Sequence, residues 1–155
     1  MKIIDGENYL EDVKELIIEY TKILNRDLRF QNIEDELKDL SKKYTYPHGK
    51  ILVALIEDQV VGCVAYHKHN KERCEMKRLF VKKEYRKQKI GEKLVNKIIE
   101  TAKEDGYQEM VLDTIEPLKS AIYLYKKFGF KECQPYYDNP MNDVIYMSLN
   151  LKDKE

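Results

Sequence analysis

The sequence predicts an α/β fold, a mixed and twisted sheet of about seven strands with four helices. Three observations predict it. Residues 75–114 read as strand, basic loop, helix and strand, the order of a right-handed parallel crossover. Residues 51–56 are an unbroken apolar run, and residues 60–66 return after the turn Glu57-Asp58-Gln59, which makes a hairpin. Apolar residues recur at helical spacing both before the hairpin and after the crossover. A chain of 155 residues forms one domain, 1–155, long enough for a proper core.

Residues 2–5 form a short strand ended by Gly6. A helix follows with Asn8 as N-cap, because Leu10, Val13, Leu16, Ile17, Tyr20, Ile23 and Leu24 share one face. Asn25-Arg26-Asp27 breaks it. A second helix runs from about Asn32, with Ile33, Leu37 and Leu40 as its apolar face, and ends before Pro47. After the hairpin, His67-Lys68-His69-Asn70-Lys71-Glu72 reads as a polar loop. Its two histidines have no cysteine or carboxylate partner, so no metal is assigned. Residues 76–81 are a strand ending in Leu79-Phe80-Val81. The helix after it carries Leu94, Val95, Ile98, Ile99 and Ala102 on one face and closes at Gly106. Residues 107–114 are a strand with Met110-Val111-Leu112 at its buried centre. Pro117 starts a helix with Leu118, Ala121, Ile122, Tyr125 and Phe128 inward, and Gly129 stops it. Residues 130–133 are a short strand, 135–140 a turn-rich loop, and 144–149 an alternating closing strand.

Lysine plus arginine and aspartate plus glutamate number 28 each. A balanced chain is no general binder of nucleic acid or membrane surface. The three cysteines, Cys63, Cys74 and Cys133, are an odd number with no Cys-x-x-Cys pair. They suggest neither a disulfide framework nor a zinc site, and the expected location is a reducing cytoplasm. The N-terminus lacks the apolar core of a signal peptide, and the longest apolar run is far too short to span a bilayer.

Positive charge is nevertheless concentrated in one place. Lys82, Lys83, Arg86, Lys87 and Lys89 precede the helix that starts near Ile90, with Glu84 the only acid among them. Cations there add to the positive end of the helix dipole. A multiply charged anion accepting the free N–H groups of the first turn would account for them. A solvated basic loop screened by Glu84 and Glu92 is the plainer alternative.

The run Arg86-Lys87-Gln88-Lys89-Ile90-Gly91 resembles the Gln/Arg-x-x-Gly-x-Gly/Ala loop of the GNAT superfamily of acyl-CoA N-acyltransferases. Arg86 and Gly91 match, and Lys89 stands at the family's first glycine, so its side chain must point outward. The run Ala121-Ile122-Tyr123-Leu124-Tyr125-Lys126-Lys127-Phe128-Gly129-Phe130 resembles the family's Ala-x-x-Leu-Tyr-x-x-x-Gly-Phe, and the resemblance extends over residues 51–149. It implies a GNAT fold and acetyl-CoA as co-substrate. The pyrophosphate would lie on the backbone of Arg86, Lys87, Gln88, Lys89, Ile90, Gly91 and Glu92. The pantetheine arm would lie along Leu79, Phe80 and Val81, where the family's strand splays from its parallel neighbour. Leu118 occupies a place where many members have asparagine.

Acetyl transfer to an amine needs a proton acceptor for the ammonium, donors for the thioester oxygen and a proton for the leaving thiolate. Glu75 has the position of the family's catalytic glutamate, and burial on a central strand should raise its pKa toward general-base values. An ion pair with Lys77 is its alternative role. A backbone N–H near Phe80 or Val81 would serve the thioester oxygen. Tyr125, by resemblance, is the proton donor, since a phenol stays protonated at neutral pH; a core role is its alternative, and Tyr123 is the weaker choice of donor. Tyr136, Tyr137 and Asp138 would border the acceptor opening, unless Asn139-Pro140 makes the segment a plain turn.

The function implied is transfer of an acetyl group from acetyl-CoA to a primary amine by direct attack in a ternary complex, with a small-molecule or peptide amine as acceptor. The alternatives are a non-catalytic acyl-CoA sensor and a nucleotide-binding module. The latter would need a Gly-x-Gly-x-x-Gly or Walker loop that the sequence lacks. Similar proteins commonly pair as homodimers.

Overall fold

The strands follow from where apolar residues must be hidden. In the computed structural model, which describes residues 1–26 and 33–152, seven strands form one sheet in the order β1-β2-β3-β4-β5-β7-β6. They are β1 (Lys2–Asp5), β2 (Gly49–Ile56), β3 (Gln59–Lys68), β4 (Arg73–Val81), β5 (Glu109–Ile115), β6 (Lys131–Glu132) and β7 (Val144–Asn150). Every neighbouring pair is antiparallel except β4 and β5, which are joined by the expected crossover helix.

Helices cover both faces. α1 (Leu10–Leu24), α2 (Ile33–Lys38) and α3 (Ser41–Tyr44) lie on one side, where Val13, Leu16 and Ile17 pack on Val53, Cys63 and Phe80. α4 (Ile90–Glu104) and α5 (Lys119–Lys127) accompany the other core, where Leu94, Val95, Ile98 and Ala102 are wholly buried on Val64, Tyr66 and Met110. Each buried Leu, Val or Ile side chain contributes roughly 1.5–3 kcal/mol of burial free energy. Both faces of β2 are therefore dry, as its continuous apolar run requires.

The departures from expectation are local. A 3-10 turn at Glu7–Tyr9 precedes α1, so Tyr9 and not Asn8 is the residue before the helix. The single helix expected from Asn32 is two, because Asp39 accepts bonds from the Ser41 N–H and hydroxyl and interrupts the ladder between α2 and α3. Asn32 itself lies outside the described residues. His67 and Lys68 belong to β3 and not to a loop. Lys119 and not Pro117 opens α5.

One irregularity shapes everything that follows. Ala65 pairs with Lys77 and Cys63 with Phe80, so one residue of β3 faces two of β4. This is a β-bulge, and Arg78 sits in it at φ +62°, a left-handed conformation that a side chain adopts only under constraint. β4 leaves β5 already before the bulge, and their pairing is confined to Arg73, Cys74 and Glu75 against Glu109, Met110 and Val111.

Candidate active site

The diverging strands open a cavity of about 550 Å³ at the carboxyl ends of β4 and β5. Leu79, Phe80 and Val81 line one wall, Leu112 to Ile115 of β5 the other, and Leu118, Leu124 and Tyr125 come from the α5 region. Such a crevice is where an α/β sheet with a parallel pair holds its ligand.

Lys82 donates its backbone N–H to Val61 O of β3. Strand alternation then turns the Val81 N–H the other way, toward the gap left by β5. Val81 O lies on that side as well and accepts from Arg86 Nε at 3.1 Å. The Arg86 guanidinium also stacks over the Phe80 ring. Arg86 and Gly91 line the cavity, whereas Lys87, Gln88 and Lys89 are exposed beside it. Lys89 takes the left-handed conformation, φ +59°, directly before α4, and gives the helix no side-chain cap. The Ile90 side chain is in the core, and Glu92 pairs with Lys127 of α5, which holds its carboxyl below the ordinary range.

Tyr125 lines the cavity and is 8% exposed, whereas Tyr123 is 73% exposed on the outer side of α5. Burial, with Tyr20 and Asp113 nearby, pushes the Tyr125 phenol up from its ordinary value, so it stays protonated at neutral pH.

Glu75 departs from expectation in two respects. It does not line the cavity, and its carboxyl is held well below the ordinary range and not above it. Burial does work to raise it, but His67, His69 and Lys77 outweigh that. Glu75 Oε1 lies 3.2 Å from His67 Nε2 and 2.7 Å from His69 Nε2, and Oε2 lies 3.9 Å from Lys77 Nζ. The histidines thus have the carboxylate partner that sequence inspection missed, because β3–β4 pairing sets His67 opposite Glu75. The two imidazoles and the carboxylate offer ligand atoms within 4.8 Å of one another. Their wiring is that of a hydrogen-bond chain. Arg73 Nε donates to His69 Nδ1 at 3.0 Å, which places the His69 proton on Nε2, aimed at Glu75. A cation would have to displace that proton against a guanidinium on the opposite nitrogen. Burial also lowers the His67 pKa against the pull of Glu75.

Lys77 is the member of this group that reaches the cavity. Burial and the adjacent Arg78 bring its ammonium down to about 8, with Glu75 pulling it back up. Arg78 forms a fork with Glu36 of α2, Nε to Oε2 at 2.8 Å and Nη2 to Oε1 at 3.0 Å, and Lys43 adds a third contact at 3.2 Å. Burial alone would raise the Glu36 pKa; these cations bring it to about 2.

Of the 136–140 loop Asn139 lines the cavity, whereas Tyr136 and Tyr137, expected at the acceptor opening, do not. Tyr136 packs edge-on against His69 and Tyr146, and Arg73 lies over its ring. The Tyr136 hydroxyl is buried without a hydrogen bond. Asp138 is exposed and does not line the cavity. The carboxylate that does is Asp113 of β5, which accepts from the Tyr137 hydroxyl and, at 3.3 Å, from Asn139 Nδ2. An acid inside Met110-Val111-Leu112-Asp113-Thr114 was the available signal, the same one that drew attention to Glu75.

Comparison with known proteins gives the family and the fold. Residues 13–130 match the model of the acetyltransferase (GNAT) family. The chain belongs to the GNAT family. It is 47% identical to an uncharacterized N-acetyltransferase of Schizosaccharomyces pombe over 92% of this chain and 88% of that one. An acetyltransferase of the GNAT family from Staphylococcus aureus superposes with a TM-score of 0.80 at 29% identity, covering 97% of this chain and 99% of the other. A GNAT acetyltransferase from Elizabethkingia anophelis, solved with acetyl-CoA bound, shares the fold at a TM-score of 0.60 and 24% identity, over 73% of this chain and 82% of its own. Among the described residues no helix is long and apolar enough to cross a membrane.

Proposed function

We propose that this GNAT protein transfers an acetyl group from acetyl-CoA to a primary amine in a ternary complex. The observation that carries the reading is the gap between β4 and β5, which has the Val81 N–H on one side and the Tyr125 phenol within the same cavity. Pantetheine would lie along Leu79 to Val81, with its pyrophosphate at the backbone of residues 86–92 and the nearby lysines adding charge. The Elizabethkingia protein with acetyl-CoA bound supports the choice of co-substrate.

The acceptor enters as an ammonium and gives one proton to neutral Lys77, which stands between the cavity and Glu75. Glu75 favours the charged lysine that results. The free amine attacks the thioester carbon, and the Val81 N–H meets the developing oxyanion. The carbon–sulfur bond breaks, Tyr125 protonates the departing thiolate, and the second proton on the new amide nitrogen restores the phenol. The proton on Lys77 returns to solvent. Cys63, Cys74 and Cys133 lie outside the cavity, in keeping with direct attack and no acyl-cysteine.

The test is a screen of primary amines with acetyl-CoA, read as released thiol, beside thermal shifts with CoA, ATP and NAD. Thiol release with at least one amine and a melting-point rise with CoA alone are expected. A CoA-dependent rise without thiol release from any amine would make the protein an acyl-CoA sensor.

A further inference from the structure

The acceptor end of the cavity has an unbalanced charge. Among the described residues Asp113 is the only carboxylate lining it. The cations lining it are otherwise engaged. Arg26 pairs with Asp143 at 2.8 Å, Arg78 with Glu36 at 2.8 Å, and Arg86 with Val81 O. Lys77 stands 3.9 Å from Glu75, and Lys119 3.9 Å from Glu116. Asp113 forms no ion pair among the described residues. Among the described residues its hydrogen bonds, from Tyr137 and Asn139, both end on Oδ2, and Oδ1 receives none.

A half-buried carboxylate answered only by neutral donors is costly unless a cation completes it. Its surroundings define which cation. Tyr20 and Tyr125 line the same cavity, and both phenols are pushed up in part by the Asp113 charge, which places them within its field. Leu24, Met76, Met141 and Val144 add apolar wall. A carboxylate in a cavity lined by aromatic and aliphatic residues suits an organic ammonium better than a hydrated metal ion. We propose that Asp113 seats the acceptor's ammonium through Oδ1, and that the acceptor is a primary alkylammonium with an apolar body.

This rests on the acetyl-transfer reading for its meaning but not for its test. The probe is phenethylammonium, added to the CoA-loaded protein at pH 7, with 2-phenylethanol as its uncharged counterpart, and binding is read from the melting-point rise. Wild type should respond to the ammonium and not to the alcohol. Asp113→Asn should lose at least tenfold in apparent ammonium affinity and keep its response to CoA. Tyr137→Phe, which removes a bond to Asp113 but leaves its charge, should retain most of the ammonium response and so separates loss of charge from loss of structure. Equal affinity in wild type and Asp113→Asn, equal response to ammonium and alcohol, or no ammonium response in wild type overturns the proposal. Ammonium binding that depends on Asp113 without thiol release would leave the seat standing and remove the transfer reading. Turnover of amines with a KM indifferent to Asp113→Asn would do the reverse.

Discussion

The two ends of the cavity are built by different means. The end at Gly91 is made of backbone and of residues close together in sequence: the last residues of β4, the turn behind them and the start of α4. The end at Asp113 is made of side chains from α1, β4, β5 and the 136–143 segment, brought together by pairs such as Arg26–Asp143 and Arg78–Glu36. A site made of backbone tolerates substitution as long as the chain path is kept. A site made of paired side chains does not. On the proposed reading, the same contrast would let one fold keep its co-substrate while its acceptors change.

The largest effect is expected at Glu36, whose fork with Arg78 supports the Asp113 end of the cavity. Glu36→Ala leaves Arg78 buried, unpaired and in a left-handed conformation. Removing one partner of a buried ion pair costs about 3–5 kcal/mol. Urea unfolding should show a loss of that size, and a loss under 1 kcal/mol would mean that the bulge is held by the strands alone. The pH dependence has a defined sign. The folded pKa of Glu36 is about 2 against an ordinary 4.5. Its contribution is complete above 4.5 and is lost as pH falls from there toward 2. Glu36→Gln should flatten the acid limb of stability in that window.

Tyr125→Phe is next. The phenyl ring keeps the packing on Phe130, so stability should barely change. Loss of a general acid is worth about a hundredfold in kcat, with CoA affinity unaltered. A kcat within threefold of wild type would return Tyr125 to the core.

What the sequence disclosed follows the same division. Helix stripes such as Leu94, Val95, Ile98 and Ala102, and the buried run of β2, were readable because burial imposes a period on neighbouring residues. The turn at 86–91 and the helix at Tyr125 were readable because each is one contiguous segment. Glu75 was found, but its environment was not, since the histidines that lower its pKa approach through strand pairing. The loop was expected at the acceptor opening with Asp138, and Asp113 was not singled out. Which acid of two faces the cavity depends on the pleat of β5 and on Tyr137 and Asn139, and no spacing rule carries that. The bulge at Arg78 left no sequence mark of its own, because an arginine is not the residue a left-handed position advertises.

Glu75 and Lys77 sharpen the acceptor side by a smaller effect. If Lys77 takes the proton, kcat should rise with pH through an acid limb near 8. Glu75 raises the Lys77 pKa, so Glu75→Gln should move that limb to lower pH and reduce the plateau several-fold, a lower-pKa amine being a weaker base. Lys77→Met should abolish the limb. A limb that disappears in Glu75→Gln and persists in Lys77→Met would make the carboxylate the base.

The smallest effect belongs to the backbone end and tests whether it is backbone that matters there. Lys89 holds φ +59° with its side chain exposed. A non-glycine residue in that region costs roughly 1–2 kcal/mol per residue, whereas glycine occupies it freely. Part of that relief is offset by the wider freedom glycine gives the unfolded chain. Lys89→Gly should therefore raise stability by about 0.5–1 kcal/mol by urea unfolding. The lysine also brings one positive charge to the turn, so the same variant should bind CoA with a weaker dependence on salt. Both changes together would establish that the turn works through its path, with charge as an increment. A large loss of CoA affinity in Lys89→Gly at physiological salt would instead make the side chain the principal contact, and the two ends of the cavity would no longer differ in kind.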